Sequence, residues 1–315
     1  MFTFSAVMFA AVVALQDPAA GQVPQDQARQ SSRPGQPFDQ TFTVARGTRV
    51  DLSDCLGSVV VKTWTRDAVQ VRTAAGHRGE VKATLTDKVL AVSPGVTRWP
   101  AGVELQLVDF ELLVPAWIDL RIEGRECGIE INGVAGNVTL KNSEGDIVLR
   151  GMGGAVDAYS IEGDIEIDGG KGRVRAGSSD GDITIANAAG DIEAESIDGD
   201  VHLNDVQATS VMVSTVDGDV FFNGPLQATG KYRFTSHDGN IGLSIPETSS
   251  ATFTIRRYEG DLHVTGLTLK AVGDVRRGRR ATYTLGAGAA QVEIESFDGD
   301  VTLSKAGARV RGGSW

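Results

Sequence analysis

The sequence is short of most things that functional chemistry needs. Four histidines in 315 residues make no convincing metal site. Two of them, His202 and His263, share one repeat position but stand several units apart and read as surface residues. No Ser-His-Asp spacing, phosphate loop or metal motif is present, so no catalytic residue is expected and the chain reads as non-enzymatic. Basic residues are also scarce, 30 Lys and Arg against 41 Asp and Glu, a net charge of -11. That excludes a protein that neutralises nucleic-acid phosphates with clustered cations. The one basic cluster, Arg276-Arg277-Gly278-Arg279-Arg280, reads as a solvated loop, the alternative being a patch for an anionic polymer or lipid headgroup. Aromatics are only 6% and helix-favouring stretches are almost absent. Glycine, by contrast, occurs 39 times, and with so little helix signal it implies many short strands and tight turns.

The glycines are ordered. From Glu144 to Leu203 one recurs every nine residues, at Gly145, Gly154, Gly163, Gly172, Gly181, Gly190 and Gly199. Alternate steps differ, so the unit is 18 residues, with a strong half (Ser160 to Ile167) and a weaker one (Gly172 to Ala176). Fixed self-similarity of this length is a solenoid signature. The strong half recurs around Gly218, Gly239, Gly260 and Gly299, giving eight copies with looser spacing after the fourth. Two and four residues after each of these glycines stands an apolar residue, as in Ile147/Leu149 and Ile165/Ile167. The weak half carries smaller ones, as in Val156/Ala158. Stacked about 4.8 Å apart, these form inward ladders of a narrow core. Three residues before the glycine lies a column of mostly small polar residues, Asn142, Ser160, Ser178, Ser196, Thr215, Ser236 and Ser296, with Arg257 as the exception. Hydroxyls there can bond the bend's own backbone.

Residues 1–15 are apolar and end in small residues before a polar switch at Gln16-Asp17-Pro18, which reads as a signal peptide despite an n-region without Lys or Arg. They are too short for a membrane span of about 20 residues. Export to the periplasm, outer envelope or extracellular space is expected, with no transmembrane segment in the mature chain. Residues 16–37, rich in Gln, Pro, Ser and Ala, read as a disordered tether. Residues 38–123 alternate with period two and read as a β cap of lead-in strands. Residues 124–304 carry the repeats, and residues 305–315 form a tail.

Cys55 and Cys127 are the only cysteines. In an exported protein two cysteines usually pair. A bridge would clip the lead-in region to the first turn, the alternative being two separate buried thiols.

The lead-in strands, the Val114-Pro115 step, the repeated Ser-x-Glu/Asp-Gly-Asp-Ile/Val turns and the Thr284-Leu285-Gly286-Ala287-Gly288 stretch before Val292-Glu293-Ile294 resemble a bacterial putative-adhesin family of β-strand-repeat proteins, a domain of unknown function. The resemblance runs from about Phe38 to Leu303. It implies an all-β, right-handed parallel β-solenoid at the cell envelope and supplies no catalytic residues.

Carboxylates flank each bend glycine, Glu144 to Asp298 before it and Asp146 to Asp300 after it, with Asn240 the single neutral member. Their simplest role is solvated turn acids. Calcium is the alternative, with Asp146, Asp164, Asp182, Asp200 and Asp219 as ligands, since hard cations take arrays of carboxylate oxygens. Against calcium, the paired glycines of the calcium-binding nonapeptide roll are missing. Three functions follow: adhesin-like binding or scaffolding through an envelope polymer, a surface ligand or like chains; self-assembly into an envelope filament; and a polysaccharide-active β-helix enzyme. The mixed outward column Val148, Glu166, Thr184, His202, Phe221, Gly242, His263 and Thr302 disfavours the enzyme.

Overall fold

Strand follows strand along the chain, and pairing between residues 18 apart in the regular repeats builds two parallel stacks, a first and a second sheet, which the long strands Arg49–Trp64 and Asp119–Asn132 join into one. The computed structural model describes residues 29–32, 36–74, 80–95, 97–99, 102–104, 107–273 and 280–307. The signal-peptide reading, most of the tether, Arg276 to Arg279 and the tail beyond Gly307 lie outside the described residues.

In the repeat region each unit contributes one strand to either sheet. Val138–Glu144, Val156–Glu162, Val174–Asp180 and Ile192–Asp198 stack in parallel on the first sheet. Ile147–Arg150, Ile165–Asp168, Ile183–Ala186 and Val201–Asn204 stack on the second. Strand alternation places Val138, Leu140, Ile147 and Leu149 inward, all buried, and the following units repeat this. A further inward position, unmarked by the sequence reading, lies at the return corner: Val134, Met152, Ala188 and Val206 fill it, with Gly170 in the turn between Met152 and Ala188. Its changing size hid it from a search for recurring residue types.

The bend glycine is required twice over. Gly163 has φ +127°, a region that L-residues reach only with strain. A Cβ there would also fall 2.6 Å from the Gly145 carbonyl oxygen of the turn below. At Gly172, where φ is ordinary, close stacking on Gly154 is the sole reason.

Two features differ from the expected order. First, the stack begins before the nine-residue rhythm. Arg49–Trp64 lies parallel to Asp119–Asn132, with Leu120 beside Val50 and Ile129 beside Val59, so one lead-in strand already makes a full turn. Beyond it each sheet adds one more parallel strand and then changes to antiparallel pairing. One sheet ends through Val89–Pro94, Val81–Leu85 and Arg29–Ser31, the other through Phe110–Pro115, Ala68–Thr73 and Asp39–Thr43. Arg29–Ser31 therefore forms a strand within the stretch read as a tether, because the free edge of Val81–Leu85 offers its backbone groups a partner.

Second, the last repeat does not lie last. Ala290–Asp298 and Val301–Lys305 pair on one side with Lys231–Asp238 and Ile241–Ile245, and on the other with Ala251–Arg257 and Leu262–Thr265. Burial explains the order. Val292, Ile294, Ser296, Val301 and Leu303 are all inward and nearly inaccessible. The Ala251–Thr265 repeat has Arg257 at the small-hydroxyl position and an exposed Val264. An atypical unit belongs at the end of a repeat stack. Arg280–Leu285 and then Lys270–Val272 close that end with antiparallel pairing, while Leu267 and Leu269 lie against the core.

At the N-terminal end Cys55 and Cys127 are joined with Cα atoms 5.8 Å apart. The bridge lies where the pairing of the two long strands slips register around Gly124. Cys127 occupies the bend column one turn below Gly145.

Candidate functional site

The bend ridge carries four side-by-side columns, and the structure gives each a different job. In the column after the glycine, Asp146 Oδ1 accepts the backbone N–H of Asp164 at 3.1 Å, and Asp164 that of Asp182 at 2.9 Å. The chain of bonds continues through Asp200, Asp219, Asn240, Asp300 and Asp261, at 2.7 to 2.9 Å. Each side chain thus satisfies the one bend amide of the next turn that no backbone carbonyl reaches. A carboxylate one methylene longer would overshoot it, which explains why this column holds only Asp and Asn. The neutral Asn240 serves because its Oδ1 also accepts.

The five aspartates considered for calcium, Asp146, Asp164, Asp182, Asp200 and Asp219, are therefore members of a hydrogen-bond ladder. Among the described residues no group of three or more His, Cys, Asp or Glu side chains converges as a metal cradle. Asp300 is held below its ordinary carboxylate range, mainly by the Asp261 backbone N–H, with His263 Nε2 adding a contact at 3.2 Å from its Oδ2.

The column before the glycine mixes Glu and Asp: Glu144, Glu162, Asp180, Asp198, Asp217, Asp238, Asp298 and Glu259, in stack order. All eight are exposed. Tolerance of either length fits a solvent-facing role. Three residues before the glycine, the buried Ser160 and Ser296 donate to carbonyls of their own bends, at 3.2 and 2.9 Å. Thr215 and Ser236 reach back to the glycine carbonyl of the preceding turn, at 3.4 and 3.2 Å. Asn142 caps three carbonyls at once, those of Cys127, Glu144 and Gly145.

A fourth column, two residues before the glycine, escaped the sequence reading. It runs Ser143, Ile161, Ser179, Ile197, Val216, His237, Phe297, Tyr258. Ile197 is 57% exposed and Val216 51%. At its end Phe297 stacks between His237 (5.1 Å, 17°) and Tyr258 (4.6 Å, 3°). From Ile197 onward an outward, apolar and aromatic stripe thus runs alongside the exposed carboxylates. Reading the sequence in 18-residue register at that one position would have found it.

On the second sheet, His202 stacks on Phe221 at 4.7 Å. Phe221, Gly242 and Thr302 separate His202 from His263, one more turn than chain order implied. The two histidines do not meet.

Residues 189–304 match the family described as Toastrack DUF4097. No curated protein matches the chain. Three solved structures align over 86% of it: a putative cell adhesion protein from Clostridium sporogenes (12% identity, all of that chain, TM-score 0.23), a putative adhesin from Bacteroides fragilis (12%, 97%, 0.35) and a putative adhesin from Parabacteroides distasonis (10%, 97%, 0.31). At these scores the fold assignment stands on the strand pairing itself.

Proposed function

From the premise that residues 189–304 are a Toastrack DUF4097 region, we propose that the chain is an exported, non-enzymatic envelope protein with an adhesin-like binding or scaffolding role. Its body is a right-handed β-solenoid with 18 residues per turn. The observation that carries this reading is the ridge: an exposed apolar and aromatic stripe beside eight exposed carboxylates, on a frame held by two parallel sheets and an aspartate ladder. Such a surface loses little conformational freedom when it binds. Apolar patches rimmed by charge mark interaction sites.

The test is binding of the fluorescently labelled full chain to intact cells and to isolated envelopes, in buffer, in calcium, and in sodium chloride at matched ionic strength. Saturable binding that the Ile197→Ser/Val216→Ser/Phe297→Ser variant loses without a change in melting temperature supports the ridge. Equal binding by that variant sinks it. A gain specific to calcium would return the acidic columns to the role of ion ligands.

The filament reading has one observation in its favour. Leu262–Thr265 pairs on one side only among the described residues, leaving a strand edge at the end of the second sheet. Light scattering that grows with concentration would favour it over the monomeric ligand binder.

A further inference from the structure

On the first sheet the outward column reads Lys141, Tyr159, Gly177, Glu195, Ser214, Thr235 in stack order, and only at Gly177 does it lack a side chain. Tyr159 fills that gap by folding down. A Cβ on Gly177 would meet its ring at 3.0 Å from Cδ2 and 3.6 Å from Cε2. The hydroxyl of Tyr159 is tied to Ser179 Oγ at 3.0 Å. A tyrosine on a sheet surface ordinarily stands away from it. Here the ring lies against the next turn's Gly177, and the residue is still 43% exposed. Around it opens a concavity of about 290 Å³, bounded by Asp157, Arg175, Glu195 and Ser179. That volume sits at the small end of ligand sites.

We propose that this platform binds one pyranose unit of a neutral or N-acetylated glycan. The proposal rests on the envelope-binding reading above and names its ligand class. Three features select the class. A pinned aromatic ring offers a flat apolar surface to the C–H face of a sugar ring. The exposed Asp157 and Glu195 carboxylates accept hydrogen bonds from ring hydroxyls. The local charge disfavours anionic ligands, because the Arg175 guanidinium is engaged by Glu193 at 2.8 Å and the Asp157 and Glu195 carboxylates outnumber the neighbouring Lys141.

The experiment is saturation-transfer NMR and calorimetry on the full chain, with chitotetraose, cellotetraose and polygalacturonate as probes. Binding of a neutral tetrasaccharide is expected, with no binding of polygalacturonate. Tyr159→Ala should weaken binding about tenfold, equivalent to about 1.4 kcal/mol. Gly177→Val, which keeps the ring but displaces it, should weaken binding similarly, and Tyr159→Ala should melt as wild type does. Absence of binding by all neutral probes, preference for polygalacturonate, or wild-type affinity in Tyr159→Ala each overturns the proposal. The two readings fail separately. If Tyr159→Ala still coats envelopes as well as wild type, the platform falls and the ridge stands. If wild type coats no envelope, the adhesin-like role falls whatever the tetrasaccharides do.

Discussion

Replacing Asp200 tests whether the aspartate column is a ladder or only a row of charges. Asp200 Oδ1 accepts the Asp219 backbone N–H at 2.8 Å, and this bond is partly buried. A hydrogen bond to a charged group contributes about 1.5–3 kcal/mol. Opposing it, two like charges about 4.8 Å apart repel by about 0.9 kcal/mol in water, roughly halved at physiological salt. With a neighbour on either side, Asp200 carries about 0.9 kcal/mol of repulsion in all. Asp200→Asn keeps an acceptor and sheds the repulsion, so it should lie within about 0.5 kcal/mol of wild type. Asp200→Ala loses the bond and sheds the repulsion, a net loss of about 1–2 kcal/mol. Asp200→Glu keeps the charge and misplaces the acceptor, so it should be the least stable of the three. Thermal melts at fixed salt should then rank wild type and Asn first, Ala next and Glu last. The gap from wild type to Ala should be roughly 2–6 °C, and the Asp219 amide should exchange faster in the Ala and Glu variants. If charge alone mattered, Asn and Ala would both melt above wild type. That result would refute the ladder.

Gly163→Ala meets both a positive φ and the Gly145 carbonyl and should cost about 1–3 kcal/mol. Gly128→Ala, with open space around it, should melt within about 1 kcal/mol of wild type; equal melts for the two variants would contradict the stacking account. The Cys55–Cys127 bridge closes a loop of 72 residues. The Cys55→Ser/Cys127→Ser variant should therefore lose up to about 4 kcal/mol, read by urea titration with alkylation mass spectrometry to verify the bridge in wild type. Asp300 has its folded pKa below its unfolded one, so its stabilisation is complete above about pH 4 and is lost as pH falls through the folded value. Asp300→Asn should flatten that acid limb in melts taken from pH 6 to pH 3 and leave the limb above pH 5 as it was.

The repeat made the stack legible because each inward position needs one kind of residue. Ile165 and Ile167 announce a strand face, and Gly163 announces a bend that no other residue fits. Position in the stack was less legible. That Ala290–Lys305 slides between two earlier repeats is a matter of which unit buries best, and only Arg257 in a serine column hinted at it. The aspartate ladder was half legible: the strict Asp/Asn choice after each glycine, against free exchange of Asp and Glu before it, signals a geometric demand. The Tyr159 platform depends on a side chain folding into a neighbour's vacancy, which no single-column reading shows. The exposed stripe from Ile197 to Tyr258 was present in the sequence and needed only the right column.

The displaced repeat makes Ala290–Lys305 a condition for seating the Ala251–Thr265 repeat. Neighbouring strands from Asp119–Asn132 to Val201–Asn204 join residues 18 apart, whereas the contact between Arg233 and Glu293 spans 60. A chain emerging from its N-terminus presents Ala251–Thr265 long before Ala290–Lys305 exists, and the earlier repeat cannot take its final seat until the later one has filled the space beneath it. Strand pairing of high sequence separation is slow to form. Loss of Ala290–Lys305 would therefore uncover the edges of Lys231–Asp238 and Ile241–Ile245 as well as unseat the Ala251–Thr265 repeat, so one missing unit undoes the order of three.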